Sequence, residues 1–344
     1  YHLVIMAALN HTINQVVFSG TIVLINHVKT SLAYEVCMNY IAVDVGGTQL
    51  RAALYPESGM EASAIRSIST KGEGKAIDRL LDLIASIWPD DHQVARIGLG
   101  IAGMVDPAKG VIYKAPNIDD WDYLPIVEIV QKRFQTPTVL GNDANVAALG
   151  EWKFGAGVGH HDLIYLTIST GVGSGIISND RLIVGSHGIG AELGHVTVLP
   201  DGPMCGCGCR GHLEAISSGP SIARYVKEKI NEGRESILAH ESTPLNARMV
   251  SDAAQHGDEL CIEAFHYAGE FLGRSIADML HVFNPTIVIL GGGVVKSGKL
   301  LIDPVMRSLE KNVLSPEYLK DFVLTTAKLG DQVGLVGALV LARG

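Results

Sequence analysis

The stretch NYIAVDVGGTQLRAALY, residues 39–55, is an apolar run, a Gly-Gly pair and a second apolar run. This order is typical of two antiparallel strands joined by a tight glycine turn. The stretch DLIYLTISTGVGSGIISNDRLIVG, residues 162–185, repeats the same layout far along the chain. Two similar hairpins in one sequence indicate an internal duplication.

Helical and strand-like patterns alternate around these hairpins. Residues 76–88 place isoleucine and leucine at helical spacing, and residues 94–103 form an apolar run that ends in glycine. Further helices are predicted at 217–230, 258–284 and 332–343. Alternation of strands and helices predicts the α/β class.

Composition excludes several kinds of protein. The chain has 344 residues, of which 47% are hydrophobic and 18% charged, and its net charge is -9. This length allows one large domain or two ordinary ones. Because no dense run of Lys and Arg is present, we expect no nucleic-acid partner. Five cysteines, an odd number in a long chain, do not make a disulfide scaffold, which indicates a reducing compartment, the cytoplasm.

Residues 1–38 differ from the rest of the chain. They contain no Asp, Glu, Lys or Arg before Lys29, and they lack the basic start of a signal peptide. Asn and Gln residues interrupt the apolar stretch, so a membrane anchor is the less favoured alternative and no membrane partner is expected. We interpret residues 1–38 as an N-terminal extension that need not be native.

The loop CGCGCRGH, residues 205–212, holds three of the five cysteines. Thiolate and imidazole are the ligands that Zn²⁺ prefers, and four of them close a structural site. The predicted ligands are His195, Cys205, Cys207 and His212. Cys209 could replace His212 as the fourth ligand, and an unliganded thiol cluster is the alternative.

Three glycine motifs indicate phosphate binding. They are DVGGT at 44–48, STGVGSG at 169–175 and LGGG at 290–293. Glycine lets successive backbone N–H groups approach phosphate oxygens, although each motif could also be an ordinary turn. Asp44 is suited to hold Mg²⁺ directly or through water. GVGSG lies between two strands, which excludes a Rossmann interpretation, and the sequence has no GxxxxGK[ST] motif.

The motif GNDAN, residues 141–145, follows a strand and opens a helix. Asp143 is therefore either a helix N-cap or a general base, with Asn142 beside it. The motif GAELGH supplies Glu192 and His195, and Glu214 follows the cysteine loop. Carboxylates beside a metal-bound histidine suit a sugar. The alternatives are a solvated charge at Glu192 and a partner of a zinc ligand at Glu214.

Taken together, these motifs resemble the ROK family of repressors, open reading frames and sugar kinases, and within it the bacterial glucokinases. The resemblance spans residues 39–344. Its motifs occur in family order: DVGGT, APNIDDW, GNDANVAALGEWKFGAG, STGVGSGI, GAELGH, CGCGCRGHLE and LGDQVGLVGA.

The resemblance implies an actin-like ATPase (ribonuclease H-like) fold, with two α/β domains and a cleft between them. The smaller domain would comprise residues 39–142 plus 329–344, and the larger, with the zinc loop, residues 143–328. The implied activity is ATP-dependent phosphorylation of glucose at the 6-hydroxyl. Alternatives are fructose, mannose, allose, N-acetylglucosamine or N-acetylmannosamine as substrate, polyphosphate or ADP as donor, or a sugar sensor without catalysis. Similar proteins are commonly homodimers or homotetramers.

The resemblance also assigns residues to roles. Asp143 matches the catalytic base. The sugar-binding positions are Asn117, Asn142, Asp143, Glu192, His195 and Glu214. The nucleotide-binding positions are Asp44, Gly46, Gly47, Thr48, Thr170, Gly171, Gly173, Gly291, Gly292 and Gly293. The zinc positions are His195, Cys205, Cys207 and His212, and Mg²⁺ would accompany ATP.

Three features depart from the family pattern. The last zinc ligand is usually cysteine, where this chain has His212, and the usual GTG is STG at residues 169–171. Residues 1–38 are too short and too poor in Arg and Lys for the helix-turn-helix of the family's repressors. Imidazole is an acceptable zinc ligand, so the zinc prediction is kept.

Overall fold

The computed structural model describes residues 38–344 continuously. Before them it describes only two short antiparallel strands, β1 (Val17–Phe18) and β2 (Thr21–Ile22). The N-terminal extension predicted for residues 1–38 therefore lies almost wholly outside the described residues. Residues 37–344 form one compact unit.

The first half of this unit contains a five-stranded sheet. Its strands, in chain order, are β3 (Asn39–Val45), β4 (Gln49–Tyr55), β5 (Ala64–Ser69), β6 (Val94–Ile101) and β9 (Thr138–Asn142). Their spatial order is β5-β4-β3-β6-β9. β3 and β4 form the predicted antiparallel hairpin, and β6 and β9 add in parallel. A separate hairpin, β7 (Met104–Asp106) and β8 (Val111–Lys114), lies between β6 and β9 in the chain.

A second five-stranded sheet has the same topology. Its strands are β10 (Leu163–Ile168), β11 (Val172–Ser178), β12 (Arg181–Leu182), β13 (Ile287–Gly291) and β14 (Val323–Thr326). The spatial order is β12-β11-β10-β13-β14. In each sheet an antiparallel hairpin is followed in the chain by a third antiparallel strand, which lies at one edge. Two later strands, parallel to the first strand of the hairpin, complete the other side. The shared order agrees with the duplication inferred from the two glycine hairpins.

Nine α-helices are described in residues 38–344. They are α1 (Ala76–Ala85), α2 (Ile126–Phe134), α3 (Asp143–Phe154), α4 (Glu214–Ser217), α5 (Gly219–Asn231), α6 (Ala247–Gln255), α7 (Glu259–Phe283), α8 (Lys299–Asn312) and α9 (Val333–Arg343). α1 and α2 cover the first sheet, whereas α5 to α8 form the large hydrophobic core of the second. Within the described part of the chain, no helix combines the length and apolarity that crossing a bilayer requires.

Helices α3 and α9 fill the layer between the two sheets. α3 is buried on every side from Ala144 to Glu151, which accounts for its many small residues and its lack of a polar face. Its Leu149 packs in a cluster with strands of the second sheet, while its Val146 packs with β3, β4 and α9. Asp143, at the start of α3, is thereby held between the halves of the molecule.

The carboxylate of Glu151 is fully buried in this layer. Its Oε2 accepts the N–H of Ala156 at 2.7 Å, and its Oε1 accepts the N–H groups of Lys328 and Leu329 at 2.9 and 2.8 Å. Backbone N–H groups can compensate the desolvation of a buried carboxylate when several converge on it. Glu151 thus fastens α3 to the segment that leads into α9.

Replacing Glu151 by alanine is expected to lower the free energy of unfolding by about 3 kcal/mol. The variant would leave three partly buried N–H groups without their acceptor and a cavity at the fully buried position of the carboxylate. Glu57→Ala, at an exposed glutamate, is the matched control and should change stability by less than about 0.5 kcal/mol. Chemical denaturation of both variants measures the difference. Equal midpoints would contradict the stabilising role of the hydrogen bonds to Glu151.

Candidate active site

The turn between β3 and β4 contains Gly46, Gly47 and Thr48. Gly46 donates its N–H to the carbonyl of Gln49 at 2.9 Å, which closes the turn. A Cβ atom on Gly47 would lie 2.5 Å from Cβ of Asn117, so only glycine allows this approach. The structure therefore brings Asn117, predicted to bind sugar, against a turn predicted to bind phosphate.

Asp44, at the end of β3, is engaged by a cation. Arg51 Nε donates to Asp44 Oδ2 at 2.9 Å, its Nη2 donates to the same oxygen, and its Nη1 donates to the carbonyl of Asp331 at 2.5 Å. Gly334, in the first turn of α9, also lies against the Asp44 carboxylate. Among residues 38–344 every side-chain donor to Asp44 reaches Oδ2, which leaves Oδ1 for a hydrated cation, so the residue fits the predicted Mg²⁺ role. Nothing in the sequence pattern had singled out Arg51.

The second glycine turn lies beside the third glycine motif. β10 pairs in parallel with β13, and this pairing places Thr167 opposite Gly291. Thr170 and Gly171 form the turn after β10, and Gly173 follows in β11. Gly291 ends β13, and Gly292 and Gly293 follow it. The predicted nucleotide positions of the second half are therefore neighbours in the structure.

A cavity of about 660 Å³ opens next to these glycines. It is lined by Ser169, Thr170, Gly219, Gly293, Lys296 and polar residues of α6. Its volume is within the usual range for sites of small molecules. Arg248, Ser251, Asp252 and Gln255 share one face of α6, and sequence reasoning missed them although their i, i+3, i+4, i+7 spacing was a visible signal.

Asn142 and Asp143, at the junction of β9 and α3, have different roles: one of them caps the helix, and the other is left free for the predicted role of general base. Asn142, not Asp143, is the N-cap of α3: its Oδ1 accepts the N–H groups of Ala144 and Asn145 at 2.9 and 3.2 Å. Its Nδ2 donates to the carbonyl of Gly103 at 3.0 Å. The interpretation of Asp143 as the N-cap is therefore wrong, because the side chain of Asn142 accepts the N–H groups at the start of the helix.

Asp143 lies in an environment that favours its neutral form. Desolvation, with smaller contributions from the carboxylates of Asp44 and Glu192, raises the pKa of Asp143 to about 6. The N–H of Ala144, which Oδ1 accepts at 2.9 Å, opposes this shift. A carboxylate with a pKa close to neutrality can take up and release a proton during turnover.

The predicted sugar residues of the second half lie close together. Glu192 is near enough to His195 and Glu214 for both to influence its pKa, which desolvation raises. Glu214 begins α4, and its Oε2 accepts the N–H of Val172 at 3.1 Å. Its Oε1 lies 3.2 Å from Sγ of Cys205. Glu214 therefore connects the cysteine loop with the second glycine turn.

The four predicted zinc ligands converge. One donor atom from each of His195, Cys205, Cys207 and His212 lies within 4.8 Å of all the others. Tetrahedral Zn²⁺ with bonds of about 2.0–2.3 Å needs ligand atoms roughly 3.5 Å apart, so a small contraction would complete the site. The Sγ of Cys207 is already 3.2 Å from Nδ1 of His212. Cys209 is exposed and outside this group, so the residues fit zinc with His212 as the fourth ligand.

Two sheets of identical strand order, each with a glycine turn at its central hairpin, define an actin-like ATPase fold, as predicted. The ROK family model matches residues 40–344, and the chain belongs to the ROK family. The glucokinase of Streptomyces coelicolor is 37% identical over 312 residues, which cover 88% of this chain and 97% of that protein. The glucokinase of Thermotoga maritima is 34% identical over 311 residues, covering 89% and 98%.

Solved structures agree with this assignment. The crystal structure of a ROK family glucokinase from Streptomyces griseus, in complex with glucose and AMPPNP, matches with a TM-score of 0.73 and 36% identity. The match covers 89% of this chain and 99% of that chain. A ROK hexokinase from Thermus thermophilus matches with a TM-score of 0.75 and 32% identity, covering 89% and 98%.

Proposed function

We propose that this protein is a hexose kinase that transfers the terminal phosphoryl group of ATP to the 6-hydroxyl of glucose. The observation that carries the proposal is the position of Asp143. Its carboxylate, with a pKa of about 6, lies near Asp44 of the first glycine motif and Glu192 of the predicted sugar site. The glucokinase relatives, and the glucose and AMPPNP bound in the Streptomyces griseus structure, support the same activity.

ATP is proposed to bind across the glycine motifs. The N–H groups of the two turns bind its phosphates, and the cavity beside Thr170 and Gly293 accepts the adenosine. Asp44 would hold Mg²⁺, which neutralises phosphate charge when bound. Because Arg51 already contacts Asp44, it supplies a further positive charge at this end of the site.

Glucose is proposed to lie against Asn117, Glu192, His195 and Glu214, with the remaining N–H of the Asn142 amide available to one hydroxyl. Asp143 accepts the proton of the 6-hydroxyl while that oxygen bonds to the γ-phosphorus and the bond to the ADP oxygen breaks. The products are glucose 6-phosphate, ADP and a proton. Zinc held by His195 and by three ligands of the cysteine loop would fix that loop against His195 and the neighbouring Glu214, without taking part in the reaction.

We also propose a division into a smaller domain, residues 39–142 plus 329–344, and a larger one, residues 143–328. Each five-stranded sheet falls within one of them, and Glu151 of the larger contacts Leu329 of the smaller. Closure of the two on substrate would exclude water from the γ-phosphate.

The proposed function is tested by ADP release from Mg-ATP with glucose, mannose, fructose, allose, N-acetylglucosamine and N-acetylmannosamine in parallel. Glucose is expected to give the highest kcat/KM. A higher kcat/KM for another sugar would support the proposed kinase activity but replace glucose as its substrate. Sugar binding with no ADP release by zinc-loaded protein would favour the sensor, and release only from polyphosphate or ADP would change the donor.

The activity is expected to fall at acidic pH. A general base works only when deprotonated, so log kcat/KM for glucose should decrease as the pH falls through about 6, the pKa of Asp143, and level off above it. The profile is measured with the concentration of the Mg-ATP complex held constant, because ATP also titrates. A rate that is constant between pH 5 and 8 would contradict the assignment of Asp143.

A further inference from the structure

Glu214 contacts the second glycine turn directly. Its Oε2 accepts the N–H of Val172 at 3.1 Å, and a Cβ atom on Gly171 would lie only 2.5 Å from the same oxygen. Val172 begins β11, immediately after the turn that the proposed function assigns to ATP phosphate. One carboxylate of the proposed sugar site therefore fixes one end of the proposed phosphate turn.

The other end of the turn is fixed from the same region of the chain. The carbonyl of Ser169 accepts the N–H of Gly219, at the start of α5, at 2.8 Å. Thr170 and Gly171 are thus held between two bonds, one from Gly219 and one from Glu214. Gly219 also lines the cavity beside the turn.

Glu214 is itself anchored in the core. The hydroxyl of Ser221 donates to the carbonyl of Glu214 at 2.8 Å, and that of Ser217 donates to the carbonyl of Ala268 in α7 at 3.0 Å. Both serines are buried. A carboxylate on such a fixed backbone can hold a mobile turn in one conformation, which lowers the entropy cost of binding a ligand there.

We propose that Glu214 is a positioning residue for the nucleotide, in addition to its proposed contact with the sugar. This inference rests on the proposed function. Oε2 holds the Val172 amide and thereby sets the Thr170–Gly171 turn for phosphate, while Oε1 contacts Sγ of Cys205 in the cysteine loop beside the proposed sugar site. Because one rigid group serves both ligands, sugar binding and nucleotide binding are coupled through it.

The experiment is calorimetric titration with Mg-AMPPNP in the absence of sugar. Glu214→Ala removes the acceptor of the Val172 N–H and is expected to weaken nucleotide binding about tenfold. Glu214→Gln retains an oxygen that can accept this N–H, so its nucleotide affinity should stay within about threefold of wild type while its glucose affinity falls. Glu192→Ala is the matched control: its glucose affinity should fall and its nucleotide affinity should not.

A second comparison tests the same contact from the side of the turn. Gly171→Ala places a methyl group against Glu214 Oε2 and should weaken Mg-AMPPNP binding. In the Glu214→Ala background the same change should cost less, because the oxygen it meets is gone. Additive effects, or equal nucleotide affinity in Glu214→Ala and wild type, would overturn the proposal.

The two proposals fail in different ways. Should wild type release no ADP with any sugar, while the variants show the expected order of nucleotide affinity, the kinase proposal fails and the role of Glu214 stands. If glucose is phosphorylated but Glu214→Gln binds nucleotide as weakly as Glu214→Ala, the role of Glu214 fails and the kinase stands. Wild type that binds no nucleotide would overturn both.

Discussion

Asp143→Asn is expected to lower kcat for glucose by about 10³-fold. Asparagine keeps the size of the side chain and its place in the first turn of α3, but it cannot accept the proton of the 6-hydroxyl. The affinity for glucose should change little, because the amide can still hydrogen-bond a hydroxyl group. Steady-state kinetics measures the loss, and calorimetric titration with glucose shows that the site is intact.

Asp90→Asn provides the matched control, since Asp90 is exposed. Its kcat should equal that of wild type. The pH profile adds a second criterion: whatever activity Asp143→Asn retains should lack the decline through about pH 6, because the group that titrates there has been removed. Asp143→Asn with wild-type turnover would show that another group, or water, accepts the proton.

Cys207→Ser is expected to abolish stoichiometric zinc binding. The serine hydroxyl is a far poorer zinc ligand than a thiolate, and a tetrahedral site with three good ligands loses at least about 100-fold in affinity. Loss of the metal should lower the Tm by about 5–10 °C and weaken glucose binding, because His195 and the segment that leads from the cysteine loop into Glu214 are no longer held together. Elemental analysis, a thermal melt and a glucose titration measure these three effects.

Cys209→Ser is the control that the loop itself offers. Cys209 is two residues away, is exposed and lies outside the converging group, so this variant should retain one zinc per chain and an unchanged Tm. The reverse outcome, with zinc lost in Cys209→Ser and kept in His212→Ala, would make Cys209 the fourth ligand. If wild type contains no zinc, the proposed zinc site is wrong.

Much of the fold could be predicted because its signals are local. The hairpins around Gly46 and Gly171 follow from apolar runs interrupted by glycine, and α3 follows from a polar GNDAN motif between a strand and a helical run, although its cap is Asn142 and not the Asp143 considered from sequence. The grouping of the zinc ligands was equally accessible, because three of the four lie within eight residues of one another.

Other contacts could not be predicted because they join distant parts of the chain. The buried carboxylate of Glu151 accepts hydrogen bonds from the N–H groups of Lys328 and Leu329, and no sequence pattern near Glu151 predicts these contacts. The pairing of Asp44 with Arg51 was missed for a different reason: the two residues belong to one hairpin, but they lie opposite each other only in the particular β3–β4 register that forms. The contact between Glu214 and Val172 also requires the packed structure, since helix and turn lie 42 residues apart.

The position of α9 has a consequence for synthesis on the ribosome. This helix packs against β3, β6 and β9, yet it leaves the exit tunnel about 190 residues after β9 is complete. At a synthesis rate of about 5–20 residues per second, the face of the first sheet that α9 contacts remains without this helix for roughly 10–40 s. During that interval the nascent chain presents surface that chaperones bind, and a premature stop codon just before residue 333 would permanently remove α9 from the face of the first sheet that it contacts.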